Sequence, residues 1–241
     1  MKKYVHIALI AVNVLLAGCK QEKSDDKMKF GTHADYPPFE YYVDGKMTGF
    51  DIELAKLIAT ELGKEAVFED MKFCTILPAL DNGIVDAGIS GFTVTKERMQ
   101  NYDFTESYYE ESLATIYKKN KPFTEKAQLS NAKIGCQLGT TMEIWLKNNL
   151  LNAEIVTMDC NNQLIEALKA GHVECVFIDT IQGKTYCKEN PGLAYSEIAK
   201  SGNGYAIVVK KGSPLKDKIN AALKSLESKG EIQKLKQKWL Q

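Results

Sequence analysis

The chain has 241 residues and a formal net charge of zero, from 31 Lys+Arg and 31 Asp+Glu. This length allows one large domain or two small lobes, each with its own hydrophobic core. Because there is no basic excess, nucleic-acid binding is not expected.

The first element in chain order is a leader. Two lysines precede an apolar run over residues 4–17, which ends in the letters LAGC. The run is shorter than the roughly 20 residues of a membrane-spanning helix and has the length of a signal-peptide core. Its end resembles a bacterial lipobox. We therefore expect a signal peptide over 1–18, lipidation of Cys19 and a polar, lipidated tether over 19–27. The alternative is a plain signal peptide or short anchor with an unrelated cysteine.

Five cysteines follow the leader, and none lies in a CxxC pair, so the spacing indicates no metal or redox motif. An odd number leaves at least one thiol unpaired. Two of them, Cys136 and Cys175, lie in apolar, strand-like runs and are expected in the core. The sequence assigns no disulfide among Cys74, Cys136, Cys160, Cys175 and Cys187.

Strand-like and helix-like segments then alternate in a first series. Strands are predicted over 28–32, 66–69 and 87–90, and helices over 51–62 and 76–82. The apolar residues of 51–62 fall near a period of 3.6, which is typical of a helix with one buried face. Alternation of this kind predicts a mostly parallel sheet with helices on both faces.

A second series has the same alternation. Its predicted strands are 133–138, 154–158 and 173–178, and its helices begin at Thr140, at Asn161 or Asn162, and after Asp179. A tail follows, with a strand over 205–209 and helices over 214–229 and 231–239. The segment 113–118 is also strand-like, which suits two lobes joined by extended crossovers.

The chain contains a single arginine, Arg98. Arginine differs from lysine in its planar fork, which grips a carboxylate through two parallel hydrogen bonds. Thr95 is a good N-cap for a short helix that would carry Arg98 in its first turn. This places Ser90 and Thr93 with Arg98 at the carboxyl end of a strand, where ligands bind in open α/β sheets. The alternative is a genome that avoids arginine codons and an arginine left on the surface.

The run SGFTVTKERMQNYDFTESYY, over 90–109, resembles the signature of the polar amino-acid solute-binding proteins, family 3, of ABC importers. Further segments resemble the same family in the same order, and the resemblance spans 28–241. They are GTHADYPPFE at 31–40, TGFDIELA at 48–55, LGTT at 138–141, FID at 177–179 and YAI at 205–207.

The resemblance implies the α/β fold of type II periplasmic binding proteins, with two lobes, a two-strand hinge and a ligand between the lobes. We expect the first lobe at 28–115, the second at 116–204 and a return to the first at 205–241. The implied function is capture of a free L-amino acid outside the cytoplasm and its delivery to an ABC permease and ATPase. We expect a monomer without a cofactor, held to a membrane by its lipid and facing the periplasm or the cell exterior.

The resemblance also assigns roles to residues for the backbone groups of the ligand. Arg98 would bind the carboxylate, with Thr141 from the second lobe and the helix N-terminus behind it. Asp179 would pair with the ammonium, helped by Ser90 and Thr93. For Thr140 and Thr141, and for Asp179, helix capping is the alternative role, and both roles can coexist.

Gly91, beside these residues, would allow close backbone approach by the ligand.

Around the side chain of the ligand, Tyr36 and Phe73 match the two stacking positions of the family, with plain core packing as the alternative. Many binders of cationic amino acids carry an acid where this chain has His33. Asp35 is expected either to replace that charge or to face solvent in its loop. Arginine or lysine is therefore favoured, with glutamine or another polar amino acid as the alternative. Two more residues are expected to border the pocket: Gln137 and Met142.

Two other classes of function remain open. Some dehydratases acting on cyclohexadienyl acids have this fold, with an added general acid. Beyond the leader the chain has only His33 and His172, and it shows no GxSxG, no GxxxxGK and no metal-spaced cluster. We therefore expect no catalytic residues and no metal. The other class is a sensor module, or a lipoprotein whose main task is adhesion or immune contact.

Overall fold

The computed structural model describes residues 26–240, so the predicted signal peptide over 1–18 and the predicted lipidation of Cys19 lie outside the described residues. No helix within 26–240 combines the length and the apolar character that crossing a membrane requires.

The described residues form thirteen strands, eight α-helices and one short 3-10 turn. The strands are β1 Lys27–Thr32, β2 Asp35–Tyr36, β3 Glu40–Val43, β4 Lys46–Thr48, β5 Glu65–Asp70, β6 Ala87–Gly88, β7 Tyr102–Phe104, β8 Tyr109–Lys118, β9 Lys133–Gln137, β10 Glu154–Met158, β11 Cys175–Asp179, β12 Leu193–Tyr205 and β13 Val208–Lys210. The helices are α1 Phe50–Glu61, α2 Phe73–Asp81, α3 Lys96–Asn101, α4 Thr141–Asn149, α5 Asn161–Ala170, α6 Thr180–Glu189, α7 Leu215–Ser228 and α8 Glu231–Trp239, and the 3-10 turn is Lys126–Leu129.

Two five-stranded sheets confirm the predicted α/β class with two lobes. The first sheet has the order β5-β1-β6-β13-β7 and belongs to the first lobe, with α1, α2, α3, α7 and α8. The second has the order β10-β9-β11-β8-β12 and belongs to the second lobe, with α4, α5 and α6. Strand β1 pairs in parallel with β5 and β6, as strand–helix alternation predicts.

The two longest strands, β8 and β12, connect the lobes. They pair antiparallel from Leu193 opposite Lys118 to Tyr205 opposite Tyr109, with two irregularities in register. At one end Thr93 forms an isolated bridge with Tyr205, which ties this ribbon to the first lobe. The two crossover strands therefore form the hinge between the lobes.

Each lobe has its own apolar core. In the first lobe α1 buries one face, including Phe50, Leu54 and Ile58, against the sheet and against α7. Fully burying one such side chain stabilises a fold by about 1.5–3 kcal/mol. In the second lobe Cys136 and Cys175 are completely buried, as predicted. All five cysteines of the described part of the chain are free thiols.

Two predicted elements were placed wrongly. The predicted strand over 205–209 is divided: Tyr205 ends β12, and β13 begins only at Val208. Both pieces pair with strands distant in the sequence, which local composition does not reveal. The helix predicted from residue 76 begins at Phe73, because its first turn packs Phe73 on Phe92, with ring centroids 4.6 Å apart.

Candidate functional site

A cavity lies between the lobes and is lined by residues of both. Eleven of the twelve residues predicted to bind a ligand line it: His33, Asp35, Tyr36, Phe73, Ser90, Gly91, Thr93, Arg98, Gln137, Thr141 and Met142. The twelfth, Asp179, is completely buried, and its carboxylate accepts a hydrogen bond from the hydroxyl of Tyr205, which lines the cavity. Six further lining residues are not among these twelve: Glu40, Thr140, Asn161, Phe177, Ile178 and Tyr205.

Arg98 is fixed in place by both lobes. Thr95 caps α3 by accepting a hydrogen bond from the Arg98 backbone N–H at 3.2 Å. Arg98 Nη1 donates to the carbonyl of Thr93 at 2.8 Å, and Nη2 donates to the carbonyl of Gly139 at 3.1 Å. Its guanidinium also lies 5.7 Å from the ring centroid of Phe73. Burial lowers the pKa of Arg98 to about 10, so the group stays charged at neutral pH. Two of its five donors are used, which leaves the others for an anion.

A threonine pair joins the lobes beside Arg98. Thr93 Oγ1 donates to the carboxylate of Glu111, with distances of 3.2 and 3.3 Å to its two oxygens. The hydroxyl of Thr141 lies 3.1 Å from Thr93 Oγ1. Burial raises the pKa of Glu111, while its hydrogen bonds and the charge of Arg98 oppose that rise. Thr93 is therefore held by an acid from the hinge and touches the start of α4.

The threonine before Thr141 has a capping role. Thr140 Oγ1 accepts from the backbone N–H of Glu143 at 3.4 Å and donates to the carbonyl of Gln137 at 2.7 Å. Thr140 therefore has the helix-capping role, which was the alternative to ligand binding. The hydroxyl of Thr141 points instead across the cleft, at the N-terminus of α4, where backbone N–H groups lack helical partners.

Asp179 is both the end of β11 and the cap of α6. Its Oδ1 accepts from the backbone N–H groups of Ile181 at 2.7 Å and Gln182 at 3.4 Å. Its Oδ2 accepts from the hydroxyl of Tyr205 at 3.1 Å, and that hydroxyl lies 3.0 Å from the hydroxyl of Tyr36. Burial first, and then the nearby charge of Glu111, raises the pKa of Asp179 to about 7.

A second polar corner lies around Asp35. Its Oδ2 accepts from the backbone N–H of Asn161, in the second lobe, at 2.8 Å. Its Oδ1 lies 3.1 Å from His33 Nε2, which is within the distance of an ion pair with a protonated imidazole. Burial opposes a charge on His33, yet Asp35, Asp70 and the Met71 carbonyl raise its pKa above the ordinary value.

Two amides close this corner. Asn161 Nδ2 donates to Gln137 Oε1 at 3.2 Å, and Gln137 Nε2 donates to the carbonyl of Asp159 at 3.0 Å. The side chains of both amides are therefore already partly satisfied within the second lobe.

Tyr36 and Phe73 present aromatic surface to the cavity. The ring of Tyr36 stacks on Phe39 with centroids 5.8 Å apart, and Phe73 stacks on Phe92. Both are nearly buried, with 9% and 8% of their surface exposed. Each ring therefore has support from the core of the first lobe and contributes to the cavity wall.

Buried carboxyls support the loop that follows β6. Ser90 Oγ accepts from the backbone N–H of His33 at 3.1 Å and donates to Glu40 Oε1 at 2.6 Å. Asp51 accepts from the backbone N–H of Gly91 at 3.0 Å. Burial, and then the charge of Asp51, raises the pKa of Glu40 well above its ordinary value, and burial raises that of Asp51 to about 6. The Ser90 hydroxyl, expected to face an ammonium, is thus occupied by protein groups.

Gly91 has a left-handed backbone, with φ +56°. A Cβ built on it would lie 3.3 Å from the rings of Tyr36 and Tyr205. The backbone at Gly91 therefore lies close to these two rings, and its close approach to a ligand stays a prediction.

Sequence reasoning missed several of these groups for different reasons. Tyr205 and Glu40 lay within quoted family segments, and Asn161 was named only as a helix start. Glu111 had no signal, because an acid next to another acid in a strand gives no indication of which one is buried.

The family model of the bacterial extracellular solute-binding proteins, family 3, matches residues 28–241. A relative from Bacillus subtilis (strain 168), the arginine-binding extracellular protein ArtP, is 34% identical over 250 residues, covering 99% of this chain and 98% of the relative.

Solved structures of amino-acid-binding proteins are also similar to this chain. An ancestral arginine-binding protein bound to arginine superposes with a TM-score of 0.86 at 35% identity, covering 90% of this chain and 99% of that one. An ancestral arginine-binding protein bound to glutamine gives 0.86 at 36%, covering 89% and 97%. The ancestral amino-acid-binding protein AncCDT-1, a precursor of cyclohexadienyl dehydratase, gives 0.82 at 31%, covering 90% and 96%.

Proposed function

Because the chain belongs to family 3 of the bacterial extracellular solute-binding proteins, we propose that it captures a free L-amino acid, arginine or lysine in preference, between its two lobes. The protein is the substrate-binding component of an amino-acid ABC transporter and works outside the cytoplasm. The observation that carries the proposal is the guanidinium of Arg98, which lines the cavity while it is held by Thr93 from one lobe and Gly139 from the other.

Arg98 binds the ligand carboxylate in this proposal. A buried carboxylate needs charged and hydrogen-bonding partners, since its desolvation is otherwise too costly. The free donors of Arg98, the hydroxyl of Thr141 and the N-terminus of α4 supply them from both lobes.

Asp179 receives the ligand ammonium. Its carboxylate is buried and its pKa is raised, which are the signs of a group that lacks a cationic partner. An ammonium beside it restores the ionised form. Tyr205 and the acid–threonine pair of Glu111 and Thr93 complete this end of the cavity.

The opposite end of the cavity favours a ligand with a cationic side chain. Tyr36 and Phe73 offer apolar faces to an aliphatic stem, and the carboxylate of Asp35 lines the cavity with His33 Nε2 3.1 Å from its Oδ1. Around the cavity, the acids Asp35, Asp179 and Glu111 outnumber the one arginine, Arg98. A ligand of net charge +1 balances this set better than a neutral one. Glutamine is the second candidate, because its amide suits Gln137 and Asn161.

Ligand binding is coupled to closure of the lobes. Several contacts cross the cleft, among them Arg98 to Gly139, Asp35 to Asn161 and the ion pair of Lys72 with Asp159 at 2.6 Å. A ligand that touches both lobes shifts the population toward this closed form. The closed form then docks on the permease.

Three finer features belong to the same proposal. They are lipid attachment at Cys19, a monomeric state, and lobe limits at 28–115, 116–204 and 205–241. A dehydratase activity on the same fold is disfavoured, because the cavity already provides both a carboxylate site and an ammonium site.

The test is a thermal shift of the purified protein against the twenty amino acids, followed by calorimetry on the hits. A ligand at 100 times its dissociation constant adds about 2.7 kcal/mol of stability. We expect the largest shift with arginine or lysine. Asp35→Asn should then weaken arginine more than glutamine, while the exposed Asp44→Asn changes neither. No shift with any amino acid would overturn the proposal.

A further inference from the structure

Three potential metal ligands from both lobes meet at one side of the cavity. His33 and Asp35 lie in the first lobe, and Cys160 precedes α5 in the second. One ligand atom of each lies within 4.8 Å of the other two, and His33 Nε2 is 3.1 Å from Asp35 Oδ1. Among residues 26–240 this is the one such group of three or more. The sequence spacing gave no hint of it, because the cysteine is far along the chain.

The ligand atoms are available. His33 Nε2 and Asp35 Oδ1 are both buried, and each has the other, 3.1 Å away, as its contact. Cys160 is a free thiol. Two ligand atoms bound to one zinc ion at about 2.0–2.1 Å with tetrahedral angles lie roughly 3.3 Å apart, so the spacing of this nitrogen and oxygen suits a shared ion.

The surroundings also orient one of these ligands. Asp35 Oδ2 is fixed by the backbone N–H of Asn161 at 2.8 Å. A second hydrogen bond of this kind is what holds histidine and carboxylate ligands in place around metal ions.

We propose that His33, Asp35 and Cys160 bind one Zn²⁺ ion that bridges the two lobes. Nitrogen, oxygen and sulfur ligands in a set of three with an open fourth position are typical of zinc. On binding, the thiol of Cys160 loses its proton to solvent and the sulfur forms the bond to zinc. A thiolate, a carboxylate and a neutral imidazole then balance the double charge of the ion.

Zinc at this position has two consequences. Because Cys160 is on the second lobe, the full set of ligands exists only when the lobes are closed, so zinc favours closure. Because zinc takes Asp35 Oδ1, it competes with a cationic ligand side chain at the same corner. In the absence of an amino acid, zinc binding can be measured independently of the transport specificity.

The test uses Zn²⁺ alone, titrated by calorimetry into metal-free protein, with Co²⁺ as the spectroscopic probe. We expect one ion per chain and a thiolate-to-cobalt charge-transfer band. Cys160→Ser and His33→Gln should each weaken zinc binding by at least about tenfold, and Cys160→Ser should abolish the band. The matched controls Cys187→Ser and His172→Gln, both free of the cluster, should bind zinc as the parent does.

Small-angle scattering supplies the second readout. Zinc should reduce the radius of gyration of the parent protein but not of Cys160→Ser. If Cys160→Ser fails to fold, His33→Gln answers the same question. No zinc binding, or binding and a charge-transfer band that survive both substitutions, would overturn the proposal.

Discussion

Arg98 of the first lobe donates a hydrogen bond from Nη2 to the carbonyl of Gly139 in the second lobe, over 3.1 Å. The single arginine of the chain is therefore part of the contact between the lobes as well as part of the cavity wall. An anion that binds Arg98 therefore lies where the two lobes meet, and binding of the anion is coupled to closure of the lobes.

Ligand affinity should rise with pH up to about 7. Without ligand, burial and Glu111 raise the pKa of Asp179 to about 7, so the carboxyl holds a proton below that pH. A ligand ammonium favours the ionised form, and binding must expel that proton. The cost is about 1.4 kcal/mol, or tenfold in affinity, for each pH unit below 7. Calorimetry between pH 5.5 and 8.5, in buffers of different ionisation enthalpy, should show proton release at acidic pH. Affinity independent of pH would contradict this role.

Glu111→Gln should move that pH dependence to lower values. The substitution keeps a hydrogen-bond acceptor for Thr93 but removes the negative charge that helps to raise the pKa of Asp179. The adjacent Glu110 is exposed and provides the matched control. Glu110→Gln should leave the profile unchanged. Equal profiles for both variants, measured by the same titrations, would show that Glu111 does not act on Asp179.

Glu40→Gln should flatten the pH dependence of stability. Glu40 and Asp51 are both completely buried, and their folded-state pKa values are raised. The folded state therefore binds more protons than the unfolded state, so this pair loses stability as pH rises through its folded pKa values. Glutamine mimics the protonated acid. Between pH 5.5 and 8, the free energy of unfolding measured in urea should fall less for the variant than for the parent. An equal or larger fall would contradict the cost assigned to ionising the buried pair.

Gly91→Ala should weaken both the fold and the site. An alanine in the left-handed region costs about 1–2 kcal/mol, and its Cβ would lie 3.3 Å from the rings of Tyr36 and Tyr205. Gly83 has a similar φ of +67° with nothing within 4 Å of a new Cβ. Gly83→Ala should therefore cost a similar backbone strain without any effect on ligand affinity. If both variants bind ligand equally well, the crowding of the rings has no functional effect.

The sequence predicted most of the architecture because the strand–helix alternation is local. Helix α1 was predicted to within one residue, and the start of α5 at Asn161 was among the predicted positions. Strand β12 was missed, because its polar and glycine-containing residues 193–205 are held by pairing with β8 rather than by their own pattern. The hairpin β2–β4 was missed because its strands have only two to four residues.

The site was predicted unevenly for a similar reason. Arg98, Thr93 and Tyr36 lie in segments whose motif and position indicate a cavity wall. Glu111 can be buried because Thr93, eighteen positions earlier in the chain, donates a hydrogen bond to it. The positive charge of Arg98 also stabilises its carboxylate. Such long-range satisfaction of a buried acid has no local signature. The meeting of Cys160 with His33 is likewise produced only by closure of the two lobes.

The most direct test of the account is calorimetry of L-arginine with the parent protein, Arg98→Ala and Lys96→Ala. Lys96 is an exposed cation on the same short helix and serves as the control. Losing the partner of a buried carboxylate should cost about 2–5 kcal/mol, or roughly 30-fold to several thousand-fold in affinity, while Lys96→Ala binds as the parent does. Arginine binding by Arg98→Ala within a few-fold of the parent would contradict the assignment of Arg98 as the carboxylate clamp.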